Sequence, residues 1–120
     1  MPEDPNRRTT LEGVLQVAHI PQRIRPHVLE QIEGEGAPAR HELAKEELVV
    51  GRGTGSDIPL FGDKASRRHA LIRRRNQEYS VFDLDSLHGV FLNGIKVHSA
   101  VLRDEDVLQF GDAVFIYREG

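Results

Sequence analysis

The dipeptide Asn93-Gly94 places the tightest constraint on how this chain of 120 residues can fold. It lies inside VFLNGIKV (90–97), between two β-prone runs, and both central residues of a two-residue hairpin turn need positive φ. Gly111-Asp112 lies in a similar place between DVLQF (106–110) and AVFIYRE (113–119). We therefore predict two antiparallel hairpins in the C-terminal third of the chain.

Further short strand patterns precede these hairpins. They are HVLEQIE (27–33), ELVVGR (47–52), DIPLFG (57–62), HALIRRR (69–75) and YSVFDLD (79–85), with a turn-rich break, GEGAPA, at 34–39. Pro59 confines the third of these strands to a sheet edge or a bulge, because proline cannot donate to a ladder. Short strands with turn signals about every 8–12 residues predict an all-β antiparallel sandwich or barrel.

The N-terminal residues 1–25 differ from the rest, and we predict that they form a tail outside a β domain at 26–120. Apolar residues within LEGVLQVAHI (11–20) follow a helical spacing, so the tail either contains one short helix or is irregular. It has no apolar signal segment, and the chain has no apolar run near 18 residues. We expect a cytoplasmic protein that does not enter a membrane.

The residue types present limit the chemistry. The chain has no cysteine, which excludes disulfides, thiolate catalysis and zinc sites with sulfur ligands. Its six histidines show no H-x-x-x-H or H-x-H spacing, so we predict neither a metal site nor a cofactor.

Charge is concentrated in the middle of the chain. Residues 51–75 contain seven basic and two acidic residues, although the whole chain has a net charge of -3. A protein that binds nucleic acid usually has a high pI and a basic face, whereas the pI here is about 6.1. A basic island in an acidic chain instead favours a site for a small anion or an acidic motif.

The basic run SRRHALIRRR (66–75) is expected to divide between a loop and a strand. Alternation along the strand directs Arg73 and Arg75 to one face and Arg74 to the other, so the three do not form one patch. They are expected to be a solvated strand end. Ser66 and Arg67 precede the strand in a loop, and loops on a β scaffold are where ligands are commonly bound.

Two enzymatic interpretations fit the sequence poorly. GRGTGS (51–56) resembles a phosphate loop, but no helical pattern and no Walker lysine follow it. Ser66, His69 and Asp83 could supply a hydrolytic triad, but Ser66 lies in no G-x-S-x-G elbow. We therefore expect His69 to be structural and the chain to have no catalytic residues.

Several short motifs follow one another in a fixed order over about residues 45–118. They are Gly51-Arg52, Ser56-Asp57-Ile58, Ser66-Arg67-Arg68-His69-Ala70, Asp83-Leu84-Asp85-Ser86, Gly89, Asn93-Gly94 and Leu102…Asp106…Phe110-Gly111-Asp112. In this order the motifs resemble the forkhead-associated (FHA) domain family. The resemblance implies an FHA-type antiparallel β-sandwich of about 11 short strands. It also implies a non-catalytic module of Ser/Thr-kinase signalling that binds a threonine-phosphorylated protein or peptide, in some cases a Ser/Thr kinase.

The resemblance also assigns roles to residues. The phosphate-contacting arginine and serine of the family fall on Arg52 and Ser66, and Arg67 is expected to assist them. The shaping glycine and histidine fall on Gly51 and His69, and Asn93 with Gly94 belongs to the structural motif. Phosphothreonine carries nearly two negative charges, which a guanidinium fork and a hydroxyl can meet with charge-assisted hydrogen bonds.

One loop departs from the family pattern S-T-N-G-T, because residues 86–90 read SLHGV. Leu87, His88 and Val90 replace a threonine, the asparagine and a second threonine. His88 and Gly89 are expected to contact the peptide backbone, although a histidine cannot offer both an amide donor and a carbonyl acceptor. An alternative is therefore an FHA-like domain that binds its partner independently of phosphorylation.

A second hypothesis concerns the tail. Arg7-Arg8-Thr9-Thr10 resembles a basic-directed kinase site, which makes Thr9 and Thr10 candidate phosphosites. A phosphorylated tail could dock into the domain's own site or into that of a neighbouring copy. The alternative is an unmodified tail.

Overall fold

A computed structural model describes residues 26–120, so the predicted tail and helix and the candidate phosphosites Thr9 and Thr10 lie outside the described residues. Every regular element in the described part is a strand. No helix there could cross a membrane. The strands are β1 (His27–Glu33), β2 (Ala39–Leu43), β3 (Glu47–Gly51), β4 (Ile58–Pro59), β5 (Ala70–Arg75), β6 (Glu78–Asp83), β7 (Val90–Leu92), β8 (Ile95–Val97), β9 (Ser99–Val101), β10 (Val107–Phe110) and β11 (Ala113–Arg118).

The strands form two sheets that pack as a sandwich. One sheet has the order β2-β1-β11-β10-β7-β8 and the other the order β4-β3-β5-β6-β9. All pairings are antiparallel except that of β3 with β4, in which Val50 lies beside Ile58 in parallel register. The prediction of an all-β sandwich is confirmed. The single parallel pair lies at a sheet edge, and Pro59 lies on that edge strand as predicted.

Two edge strands were not predicted from the sequence, β2 and β9. The break at 34–39 was drawn one residue too long, because β2 begins at Ala39. Both strands are short, rich in polar or small residues, and paired on one side only, so their local pattern is weak. The strand predicted at 79–85 ends at Asp83 instead, and Asp85 has a left-handed φ of 60° in the loop that follows.

The Asn93-Gly94 hairpin has the predicted geometry. Asn93 has a φ of 49° and Gly94 a φ of 84°. The Asn93 side chain also donates to Asp106 Oδ1 at 3.0 Å and accepts from the Val107 amide at 2.9 Å, which ties this turn to β10. The second predicted hairpin joins β10 to β11 at Gly111, whose φ is 61°.

The core lies between the inner faces of the two sheets. Its largest fully buried side chains are Tyr117, Phe110, Phe115, Leu29, Ile58, Ile72, Leu102, Leu108, His69, Val50, Val81 and Val90. Phe110 and Phe115 meet edge to face, with ring centroids 5.7 Å apart. Burial of such side chains from both sheets supplies the main stabilisation of a sandwich.

A polar cluster lies between the sheets near the start of β1. The Tyr79 hydroxyl donates to the Leu43 carbonyl at 2.7 Å, and the Tyr117 hydroxyl forms a hydrogen bond with His27 Nδ1. Burial raises the pKa of the Tyr117 phenol, and the negative charge of Glu119 raises it further. The folded domain therefore favours the neutral phenol of Tyr117.

This cluster predicts a loss of stability in alkali. Because the Tyr117 pKa is higher in the folded than in the unfolded chain, its stabilising contribution is complete below about pH 10 and is lost as pH rises above it. Tyr117→Phe should reduce the slope of unfolding free energy against pH by up to about 1.4 kcal/mol per pH unit in that range. Urea denaturation from pH 7 to 11 measures this slope, and equal slopes for variant and wild type would contradict the prediction.

Candidate phosphate-binding site

Three loops meet at one end of the sandwich. They are the β3–β4 loop (52–57), the β4–β5 loop (60–69) and the β6–β7 loop (84–89). They meet because antiparallel pairing aligns Val50 near the end of β3 with Ala70 at the start of β5, and Ala70 with Asp83 at the end of β6. We call this region the loop end.

Backbone hydrogen bonds hold Arg52 beside Ser66. The Arg52 amide donates to the Ser66 carbonyl at 2.9 Å, and the Gly53 amide donates to the Arg67 carbonyl at 3.0 Å. The Arg52 side chain is also held, because its Nε donates to the Ala65 carbonyl at 2.9 Å. Within residues 26–120 its two terminal nitrogens have no partner. The guanidinium is thus fixed by one nitrogen while its other two nitrogens remain available as donors.

The Ser66 hydroxyl is held in the same way. Its Oγ accepts a hydrogen bond from the Leu87 amide at 3.1 Å, which links the β4–β5 loop to the β6–β7 loop. A hydroxyl has one donor and two acceptor lone pairs. Since the Leu87 amide occupies a lone pair, the Ser66 O–H can still donate to an anion.

His69 joins the same two loops from beneath. It is fully buried; its Nδ1 accepts from the Ser66 amide at 3.1 Å and its Nε2 donates to the Gly89 carbonyl at 2.8 Å. The amide partner makes Nδ1 the acceptor, and the carbonyl partner makes Nε2 the nitrogen that carries the proton. The predicted structural position of His69 agrees with this geometry.

A hydrolytic triad does not form. His69 bonds the Ser66 backbone amide, and the Ser66 hydroxyl bonds Leu87. The Asp83 carboxylate accepts from Ser86. No group of three His, Cys, Asp or Glu side chains among residues 26–120 is arranged to hold a metal ion.

The SLHGV loop is held by Asp83 and Ser86. The Ser86 hydroxyl donates to Asp83 Oδ1 at 2.6 Å and accepts from the Gly89 amide at 2.9 Å, and Gly89 has a left-handed φ of 88°. Leu87 and His88 project outward, and Leu87 is 81% exposed. Neither Asp83 nor Ser86 was predicted as a site residue, although D-x-x-S spacing is typical of a turn capped by its own side chains.

Asp57 anchors the loop that follows Arg52. Its amide donates to the Val49 carbonyl at 2.9 Å, and its carboxylate accepts from the Val49 amide at 2.8 Å and from Lys45 Nζ at 2.6 Å. The hydrogen bond from Lys45 and that from Val49 lower the pKa of Asp57. The carboxylate therefore stays ionised at neutral pH and ties the end of the β3–β4 loop to β3 at Val49.

The other basic residues and the hairpin glycine lie elsewhere. Arg73 pairs with Glu47 at 3.1 Å, and Arg74 lies 3.6 Å from Glu46, so the basic run divides as predicted. Asn93 and Gly94 form the β7–β8 turn, at the other end of β7 from the loop end, and Asn93 bonds Val107 of β10 there. The structure thus brings Arg52, Ser66, Arg67, His88 and Gly89 to one end, with Gly51 and His69 beneath them.

Gly51 lies where the two arginine-bearing loops cross. A Cβ at this position would lie 2.1 Å from the Arg67 carbonyl oxygen, a backbone atom that cannot move without breaking the Gly53–Arg67 hydrogen bond. The requirement for glycine here is therefore steric, since Gly51 is not among the residues with positive φ.

Gly51→Ala should lower the free energy of unfolding by about 1–3 kcal/mol, the usual cost of overpacking, and should displace Arg67 from Arg52. The matched control is Gly53→Ala, whose Cβ would lie 3.2 Å from the same oxygen and should cost less. Urea denaturation compares the two variants. A Gly51→Ala variant as stable as the Gly53→Ala variant would show that the loops cross less tightly than described.

Solved structures of known proteins have this architecture. The chain superposes with a TM-score of 0.74 and 28% identity on a domain from a structural and functional analysis of phosphothreonine-dependent FHA domain interactions, covering 80% of this chain and 98% of that one. It superposes on the FhaA FHA domain, solved in complex with the intracellular domain of Rv3910, with a TM-score of 0.71 and 29% identity, covering 77% and 99%.

Curated relatives agree. The chain is 37% identical over 87 residues to the oxoglutarate dehydrogenase inhibitor of Corynebacterium jeikeium, covering 72% of this chain and 60% of that protein. It is 38% identical over 87 residues to the glycogen accumulation regulator GarA of Mycobacterium tuberculosis, covering 72% and 54%. The chain thus spans little more than half the length of these relatives. The FHA domain family model matches residues 48–111, which include every residue of the loop end, and this chain belongs to the FHA domain family.

Proposed function

We propose that this chain is a non-catalytic binding module that recognises threonine-phosphorylated proteins at its loop end. The observation that carries the proposal is the pair of available donors, the terminal nitrogens of Arg52 and the hydroxyl of Ser66. The Arg52 guanidinium is held through its Nε, and the Ser66 Oγ is held by accepting from the Leu87 amide, which leaves its O–H able to donate. Donors that are already fixed lose little conformational entropy when an anion binds, which favours affinity.

The chemistry of the site suits a phosphate monoester. Phosphothreonine presents three acceptor oxygens, which the two Arg52 nitrogens can meet bidentately and to which Ser66 adds a third donor. Hydrogen bonds to a charged group contribute about 1.5–3 kcal/mol each. Arg67 is exposed next to Ser66 and has no acidic partner within the described residues, so its charge can add to the attraction.

The similar proteins support a phosphorylated protein as partner. One solved neighbour belongs to a study of phosphothreonine-dependent interactions. EmbR of Mycobacterium tuberculosis, 26% identical with a TM-score of 0.72 over 24% of its chain, was solved in complex with a low affinity phosphopeptide. The curated relatives are named as an inhibitor and a regulator, which supports regulatory binding over catalysis. We place the module in Ser/Thr-kinase signalling in the cytoplasm, with no cofactor.

The altered SLHGV loop affects only part of this site. Val90 stands where the family pattern has its second threonine. It is fully buried in β7 and packs in the core, so this difference does not change the surface that faces a ligand. The exchanges that face outward are Leu87 and His88. Because Arg52 and Ser66 keep their donors, phosphate-dependent binding is better supported than the phosphorylation-independent alternative.

Docking of the chain's own tail stays a separate proposal. The candidate phosphosites Thr9 and Thr10 lie outside the described residues, within the segment 1–25 that we place apart from the domain at 26–120. A phosphothreonine there would present the same anion to Arg52 and Ser66 as an external peptide does. Tail phosphorylation would then compete with partner binding.

The first test removes the phosphate donors. With a phosphothreonine peptide selected on an oriented array, Arg52→Ala should weaken binding by about 150-fold or more, because it removes two hydrogen bonds to a charged group. Ser66→Ala removes one such bond and should weaken binding by about 10- to 150-fold. Fluorescence anisotropy measures the affinity, with unphosphorylated and phosphoserine peptides alongside. Arg75→Ala, which removes an exposed arginine at the far end of β5, is the matched control. Undiminished binding by Arg52→Ala would refute the proposed function.

The second test concerns His88. An asparagine at this position offers both an amide donor and a carbonyl acceptor to an extended peptide, whereas the histidine ring offers fewer groups. His88→Asn should therefore tighten phosphothreonine-peptide binding by about three- to tenfold, the effect of one added hydrogen bond. Leu87→Thr serves as the control for a change in the same loop. Weaker binding by His88→Asn would show that His88 itself contacts the peptide favourably.

A further inference from the structure

Lys96 of β8 lies across the SLHGV loop, although nothing in its sequence context marks it as a site residue. The point at which a Cβ on Gly89 would lie is 2.7 Å from Lys96 Cε and 3.5 Å from Lys96 Nζ. The end of the lysine side chain thus covers the Gly89 backbone. It can do so only because residue 89 has no side chain.

The Lys96 ammonium has no acidic partner within residues 26–120. Most of the lysines and arginines in this part of the chain form ion pairs, as Arg73 does with Glu47. Those that do not are Arg52, Arg67, Arg68, Arg75 and Lys96.

Three of these five cations, Arg52, Arg67 and Arg68, lie in the loops of the loop end, and Lys96 of β8 reaches the loop end by lying over Gly89. The exception, Arg75, lies at the far end of β5, about 17 Å from Ala70 at a rise of about 3.3 Å per residue. The unpaired positive charge of the domain is therefore concentrated around the proposed phosphate site, and Lys96 belongs to it through Gly89. A surface with this charge fits a partner with negative charge beyond the phosphate itself.

Lys96 is separated from the phosphate donors. The His69 ring lies between Ser66 and Gly89, bonded to the Ser66 amide on one side and to the Gly89 carbonyl on the other. Lys96 lies on the Gly89 side of this bridge. A phosphate held by Arg52 and Ser66 would thus leave Lys96 facing a neighbouring residue of the bound peptide.

We propose that Lys96 is a specificity-determining residue, whose ammonium pairs with an Asp or Glu side chain flanking the phosphothreonine in the partner. This inference rests on the proposed function of the loop end. A lysine suits the role because its ammonium is a compact charge on a flexible stem and accepts a carboxylate in several geometries. The partner class is thereby narrowed to threonine-phosphorylated proteins with an acidic residue near the modified site.

The experiment uses a phosphothreonine peptide whose flanking residues are alanine, together with a set in which Asp replaces each alanine in turn. The wild-type protein should bind one of these peptides about two- to fivefold more tightly than the alanine peptide, the range of an exposed ion pair. Lys96→Gln should lose this gain and bind the alanine peptide as the wild type does. Arg75→Gln changes the net charge equally at the distant end and should keep the gain.

Charge reversal provides the second measurement. Lys96→Glu should disfavour the selected Asp peptide and prefer the peptide with Lys at that position, which a merely structural role for Lys96 would not produce. Equal weakening of all peptides by Lys96→Gln would overturn the proposal, because the ammonium would then contact the phosphate. A wild type with no preference among the flanking residues would also overturn it.

The two proposals fail in different ways. If wild-type protein bound phosphorylated and unphosphorylated peptides equally, both the proposed function and the Lys96 proposal would fail. If binding depended on phosphate and on Arg52 but no Asp position gave a Lys96-dependent gain, only the Lys96 proposal would fail.

Discussion

The buried imidazole of His69 is the contact on which the loop end depends. It has no exposure to solvent, and each of its nitrogens has a backbone partner in a different loop, the Ser66 amide and the Gly89 carbonyl. A buried backbone group without a partner costs about 1–3 kcal/mol, so both loops are stabilised where the ring can reach them. The His69 ring therefore fixes the β4–β5 and β6–β7 loops relative to each other, together with the bonds from the Leu87 amide to Ser66 Oγ and from the Leu84 amide to the His69 carbonyl.

Backbone contacts extend this order to the ligand-facing groups. The Arg52 and Gly53 amides bond the carbonyls of Ser66 and Arg67, and the Ala65 carbonyl holds Arg52 Nε. Arg52 is thus held through its Nε, which the ligand does not need, and Ser66 through one lone pair of its Oγ, which leaves the O–H able to donate. An anion then meets donors that are already oriented, which is the condition under which charge-assisted hydrogen bonds contribute most.

The sequence predicted most of the sandwich because the signals for its strands are local. The Asn93-Gly94 turn and the alternation through Ile72 and Arg73 depend only on neighbouring residues, and the structure agrees with both. The strand β2 escaped prediction because it is an edge strand, and its polar residues ARHEL give weak alternation. The parallel pairing of β3 with β4 also has no local signal, since register between strands is a tertiary property.

The order of motifs in the sequence predicted which residues form the site. It did not predict the contacts that hold those residues in place. The positions of Arg52 and Ser66 follow from the resemblance to the FHA family, whereas the Ala65 carbonyl that orients Arg52 is a backbone atom that any residue could supply. Lys96 is distant in sequence from Arg52 and Ser66 and reaches the site only by lying over Gly89. Such contacts depend on how loops pack and cannot be read from spacing.

At the contact between Gly51 and residue 67, the fold depends on the backbone of residue 67, whereas a bound partner would contact its side chain. Gly51 contacts the carbonyl oxygen of Arg67, which every amino acid has, and not its side chain. The exposed side chains at positions 67, 87, 88 and 96 can therefore be exchanged while the scaffold beneath them stays intact. An engineered library confined to these four positions would vary the recognised partner on a framework whose folding those positions scarcely influence.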